Sequence, residues 1–155
     1  MNERDLLRHL LATLAYRGGK CIREAPESFA RFQGGGGKTP LAILAHMGDL
    51  LEWTLDMARG RKGWNTAVPQ SWDQEAARFH RALEQLDQHL ASGAAIQVEV
   101  SRLLQGPLAD ALTHVGQLAM LRRLDGAPLQ GENYFAAEVT AGRLGPDQAP
   151  PRKTF

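Results

Sequence analysis

The sequence predicts an all-α fold, a bundle of four long helices with a short further helix near the C-terminus. Two observations carry this expectation. Apolar residues recur at intervals of three and four through four separate stretches, the pattern of a helix with one buried face. Helix-capping and helix-stopping residues separate these stretches. Only Ile96, Val98 and Val100 alternate in the manner of a strand, and the Leu103–Leu104 pair that follows fits a helix equally well, so this stretch stays open.

Leu6, Leu7, Leu10, Leu11, Leu14 and Tyr16 predict a first helix from Asn2 to about Arg23, with Gly18–Gly19 as its weak point. One or two further turns around Phe29 and Phe32 precede the loop Gly34–Gly37. Thr39–Pro40 starts a second helix, because threonine caps free amides and proline fits the first turn. Leu41, Leu44, Met47, Leu50, Leu51, Leu55 and Met57 give it an apolar seam, and Gly60 ends it. Residues 60–70 form a long connection. Ser71 and Gln74 make a capping box for helix three, whose stripe runs through Trp72, Ala76, Phe79, Leu83, Leu86 and Leu90 to a stop at Ser92–Gly93. Pro107 is expected to open helix four, through Leu108, Leu112, Val115, Leu118, Leu121 and Leu124 to Gly126. A short helix over about Asn133 to Thr140 and an extended tail from about 145 to 155 complete the expectation.

The chain has 155 residues, enough for one domain with a core of its own, and a single domain over 1–155 is expected. Its 18 basic and 17 acidic residues leave a net charge of +1, and no basic run exceeds Arg122–Arg123, which argues against a nucleic-acid partner. A lone cysteine, Cys21, excludes an internal disulfide framework and suits a cytoplasmic setting. The charged N-terminus does not read as a signal peptide, and no apolar run approaches a membrane span.

Gly34–Gly37 followed by Lys38–Thr39 invites comparison with a phosphate-binding loop, but the required first glycine is Phe32 and no strand precedes. A flexible connection is the better reading. Asp110 and His114 stand four residues apart on helix four and project from one face, with Gln117 on that face one turn on. Such pairs are common on solvated helices and do not by themselves make a site. His46 lies inside the apolar second helix, where a lone histidine is more often a satisfied core residue than a ligand. His9, His80 and His89 fall among polar neighbours and read as solvated. Trp53, Trp64 and Trp72 read as core residues, with an apolar contact surface as the alternative.

His46 on helix two, with Asp110, His114 and Gln117 on helix four, resembles the DinB-like (DinB/YfiT) metalloproteins. These carry one histidine on the second helix and a His-x-x-x-His pair followed by glutamine on a later one. His46 matches the first ligand, His114 the last, and Asp110 takes the place of the middle histidine. The resemblance implies a four-helix bundle in up-down-down-up order. It also implies one divalent ion, zinc or nickel, held by His46, Asp110 and His114. In that order helices two and four run antiparallel, so the ligands meet only with a stagger or with a fourth helix that begins before Gly106.

Among characterised members of that family are enzymes that depend on low-molecular-weight thiols, while many other members have no known reaction; the resemblance thus implies a small-molecule substrate, thiol or water activation, and transferase, isomerase or hydrolase chemistry. No catalytic residue is identified, and whether the chain is an enzyme stays open. The alternative is a non-catalytic helical module that the metal stabilises or that binds a small molecule. Neither a nucleic acid nor a membrane is expected as partner, and a homodimer stays open.

Overall fold

The computed structural model describes residues 1–155 and is all-helical apart from turns, loops and one isolated bridge between Glu132 and Thr154. Helix α1 spans Glu3–Ile22, and Asn2 and Asp5 form a capping box at its start. A 3₁₀ turn follows at Glu27–Arg31, where fully buried Phe29 packs edge-on against Trp72. Helix α2 covers Pro40–Ala58, with the Thr39 hydroxyl accepting from the Ala42 amide. Helix α3 covers Trp72–Ala91 and begins with the reciprocal Ser71–Gln74 bonds expected from the sequence. Gly60 and Gly93 take φ of +77° and +75° just past the ends of α2 and α3, the left-handed turn that glycine adopts without strain.

The inner face of α1 is Leu7, Leu11, Leu14 and Ala15, while Leu6 is turned outward. Gly18–Gly19 does not interrupt the helix. A Cβ at Gly18 would lie 2.9 Å from the tip of the buried Phe79 ring, so the missing side chain is what lets α1 and α3 approach.

Pro107 does not open the last long helix. Helical turns begin earlier, as α4 (Val100–Leu103), and lead through a π-type segment at Leu104–Leu108, kinked at Gly106, into α5 (Ala109–Leu124). Proline offers no amide and its ring crowds the preceding turn, so the chain widens there instead of stopping, with Gly106 absorbing the distortion at φ −92° and ψ −105°. Ile96 and Val98 are half-buried and form no strand.

Contacts along the helices give their relative directions. Arg4 reaches the Leu90 carbonyl and Arg8 pairs with Asp87, while Gly18 meets Phe79, so α1 and α3 are antiparallel. Arg78 bonds Ala45 and Asp49, and His89 lies beside Ala58 and Arg59, so α2 and α3 run the same way. Gln97 bonds the Ala58 carbonyl while His46 faces His114, so α2 and the α4–α5 helix are antiparallel. Gly18 faces Val115 and the Arg23 carbonyl accepts from Arg122, which makes α1 and α5 parallel. No helix is long and apolar enough to cross a membrane.

The expected helix over Asn133 to Thr140 is absent. Asn133 Oδ1 accepts from the Phe135 amide, and the next bonds are the short ones from Ala136 and Ala137 to the carbonyls of Asn133 and Tyr134. An asparagine that satisfies a nearby amide offers the backbone an alternative to the helix, and a segment this short cannot nucleate one unaided. Tertiary contacts hold it instead: buried Glu132 accepts from Tyr16 at 2.5 Å and from Lys20 at 2.7 Å, and Tyr134 lies under the Arg17 guanidinium. The tail folds back, with Asn133 bonding Lys153 and Phe155 bonding Gly131, and it buries Leu144 and Ala149.

That return covers one side of α3, and so His80 is not solvated. It is buried, with Nδ1 at 2.7 Å from the Leu144 carbonyl. Burial lowers its pKa, against the opposing effect of that bond. His89 is half-buried and also lowered, by burial and then by Arg59 and Arg4, whereas His9 is exposed as expected. Leu124, assigned to the inner stripe by its spacing, is exposed at the end of α5.

Gly18→Ala should destabilise the protein by about 1–3 kcal/mol despite alanine's better helix propensity, because the added methyl meets a ring with no free space. Urea unfolding measures this, and a stabilised variant would contradict it. A lowered histidine pKa means that the unfolded chain binds the proton first. Stability should therefore be full above about pH 6.5 and fall as the pH drops below it. His80→Gln should flatten that slope in urea midpoints measured between pH 8 and 5.

Candidate metal centre

His46 stands on α2 about 9 Å from its start, or about 18 Å from its end, at 1.5 Å per residue. His114 stands about 21 Å from Val100, the start of the antiparallel α4–α5 helix. The early start of that helix brings the two histidines level. The helical turns from Val100 to the kink at Gly106 thus supply the stagger that an antiparallel pair requires.

The structure brings His46, Asp110 and His114 together, their candidate ligand atoms all within 4.8 Å of one another. His46 Nε2 lies 3.6 Å from Asp110 Oδ2, and His114 Nε2 lies 3.5 Å from Asp110 Oδ1. Neighbouring ligand atoms about a tetrahedral ion with bonds of roughly 2.0–2.1 Å are about 3.3 Å apart; the two Asp110 distances, one to each carboxylate oxygen, come close to this, so the donor set is compact enough for a small divalent cation. The two imidazoles meet edge-on, ring centres 4.9 Å apart.

Gln117 is also in place. Its Oε1 lies 2.8 Å from His114 Nδ1, so Nδ1 is assigned the proton and Nε2 keeps a lone pair toward Asp110. Burial, then the neighbouring His114 and Lys38, lower the His46 pKa, with Asp110 opposing. His46 is therefore neutral near pH 7, the form that can ligate. The site opens to one side: the side chains of His114 and His46 are 12% and 22% exposed, and that of Asp110 is 47% exposed.

Two residues beside the centre were not legible as part of it. Trp64, in the connection after α2, is 44% exposed rather than core; its ring meets the His46 ring edge-on at 5.7 Å and the Trp53 ring at 5.3 Å. Its Nε1 donates to Thr66. Trp53 is half-buried, and Trp72 packs on Phe29 elsewhere. An aromatic in a loop containing Gly63 and Pro69 was the available signal. A cleft of about 770 Å³ lies between the 3₁₀ turn and the start of α3, lined by Glu27, Arg31, Leu41 and Trp72, and shares no residue with the triad. The glycine loop precedes α2 without a strand, and Lys38 at its end is exposed.

Comparison with protein-family models, curated proteins and solved structures gives no match.

Cys21 lies apart from the triad in the core, 1% exposed, its Sγ donating to the carbonyls of Arg17 and Val115. Burial pushes its pKa up to about 11, although Arg122 and Arg17 oppose this. The group is a thiol, not a thiolate, at neutral pH. A disulfide reagent such as DTNB at pH 8 should label it only after unfolding. Stoichiometric labelling of the native protein within seconds would contradict that assignment.

Proposed function

We propose that this chain holds one divalent metal ion through His46, Asp110 and His114 and presents it to a small molecule. The carrying observation is the convergence of these three side chains, from two antiparallel helices, on a volume the size of one ion's first coordination shell. We infer that the helices form a DinB-like four-helix bundle in up-down-down-up order. The antiparallel α1–α3 and α2–α5 pairs and the parallel α2–α3 and α1–α5 pairs support that order.

The family resemblance favours zinc or nickel; two imidazoles and a carboxylate can hold either, and suit iron(II) as well. A divalent ion in such a site, when bound, lowers the pKa of a coordinated water or thiol and so makes a nucleophile available near neutral pH. Asp110 brings one negative charge, leaving a net +1 where three neutral histidines would leave +2, and so moderates that acidity. Gln117 fixes the His114 tautomer and ring direction. Trp64 excludes water on the His46 side, and the exposed Asp110 edge leaves access for a substrate, with a low-molecular-weight thiol or water as the group to be activated.

The absence of a fourth histidine, cysteine or acid from the cluster favours this reading over a closed structural site, which ordinarily takes four protein ligands.

Elemental analysis of protein purified without a histidine tag should find about one zinc or nickel per chain. His114→Ala and Asp110→Ala should lower affinity by more than about a hundredfold, since losing even a supporting partner costs about 10–100-fold; Gln117→Ala should fall in that smaller range. Asp110→His should keep the ion and shift the titration of any coordinated water to lower pH. With cobalt as the probe ion, 2-mercaptoethanol should change the visible spectrum, showing an exchangeable position. A metal content unaltered by His114→Ala would sink the proposal, and a spectrum indifferent to the thiol would favour a non-catalytic module.

A further inference from the structure

The connection between α2 and α3 brings Trp64 to the His46 ring, yet residues 61–70 have no helix or strand of their own. Two buried carboxylates hold its backbone instead. The Ala67 amide lies 3.3 Å from both Asp49 oxygens, and the Gln70 amide donates to Glu75 Oε1 at 3.0 Å. One guanidinium gathers the two acids: Arg78 Nη1 donates to Asp49 at 2.9 Å and Nε donates to Glu75 at 2.8 Å. Nη1 also meets Glu52 at 3.1 Å, and Nη2 donates to the Ala45 carbonyl at 2.6 Å.

The Asp49 and Glu75 side chains are each 2% exposed, and that of Arg78 is 13% exposed. Ala45 immediately precedes His46, so the fork that holds the connection also touches the backbone carrying a candidate ligand. Gly48 makes room for it, since a Cβ there would lie 2.7 Å from the guanidinium carbon. Arginine's planar fork can serve four acceptors at once, and lysine's point charge cannot reproduce it.

We propose that Arg78, Asp49 and Glu75 are positioning residues for the metal centre: they clamp the α2–α3 connection so that Trp64 stands as a fixed wall against His46 and limits the direction from which a small molecule reaches the ion. A cluster that merely joined α2 to α3 would bond helix to helix. Here the remaining oxygens of both acids are spent on amides of the connection. The link to the ion rests on the function proposed above, whereas the clamping of Trp64 does not.

The test uses the full chain with Trp53→Phe and Trp72→Phe, which leaves Trp64 as the only tryptophan of three. Into this background go Arg78→Met and, separately, Ala67→Pro. The first leaves two buried carboxylates without a counter-charge and risks unfolding; the second keeps the charges, removes the Ala67 amide and stiffens the backbone at Thr66 and at position 67. Without metal, acrylamide quenching of Trp64 should rise about twofold or more and exchange of the Gln70 amide should quicken about tenfold or more, at unchanged helical circular dichroism. With nickel added, each variant should bind as many ions per chain as its parent but quench Trp64 less per ion bound. Unchanged acrylamide access and exchange in Ala67→Pro, or unchanged quenching per bound ion, would overturn the clamp. A parent that binds no nickel would overturn the metal reading, and with it the clamp's role toward the ion, whatever Trp64 does.

Discussion

Everything at the candidate centre depends on the helical turns that precede the kink at Gly106 and on how α5 leaves it. A helix that began at Pro107 would carry His114 only two turns from its start, far from the level of His46 on an antiparallel partner. The π-type segment adds a turn that proline can occupy, and Gly106 takes the one backbone conformation in that stretch that a helix does not use. A local defect thus sets a long-range register. Wide turns of this kind are often found where a helix carries functional side chains.

The second determinant is electrostatic. Arg78 is mostly buried, and burial alone would lower its pKa; hydrogen bonds to Glu75 and Asp49, with the charges of Glu52 and Glu75, outweigh that and raise it. Two carboxylates and one guanidinium in so dry a place are interdependent. Removing one partner from a buried ion cluster costs about 3–5 kcal/mol, because the others are left charged and unpaired. The same cluster spans α2, α3 and the connection between them. Loosening of any one of these elements is therefore felt by the other two.

Local chemistry was legible in the sequence, and tertiary coverage was not. Thr39–Pro40, Ser71 with Gln74, Gly60 and Gly93 act within a turn of their own position, so their residue types define the ends of α2 and α3 directly. Asp110, His114 and Gln117 were readable as a unit because one helix face fixes their relation, and His46 joined them only through the pattern that resembles a known family. His80 was misread because the tail that buries it lies more than sixty residues further on, at Leu144. Asn133 to Thr140 has helix-compatible residues, but Glu132 is bound to Tyr16 and Lys20 on α1, and no local periodicity records that anchor. Trp64 shows the same limit: its place beside His46 follows from where the connection is fastened, not from its neighbours in sequence.

Parallel α2 and α3 have a consequence for chain economy. The starts of both helices line one cleft, so the chain leaving Ala58 must travel back along the whole of α2, about 28 Å, before α3 begins. Residues 59–71 reach about 45 Å when fully stretched, so more than half of their contour length is committed to the return alone. Little slack remains for a hairpin or a helix of its own, which is why this segment lies extended and borrows side chains for its hydrogen bonds. The glycine loop before α2 has no comparable journey to make. In this fold the two long connections are mechanically unlike: the one before α2 is pinned at buried Phe29, the other is a tether whose length is part of the design.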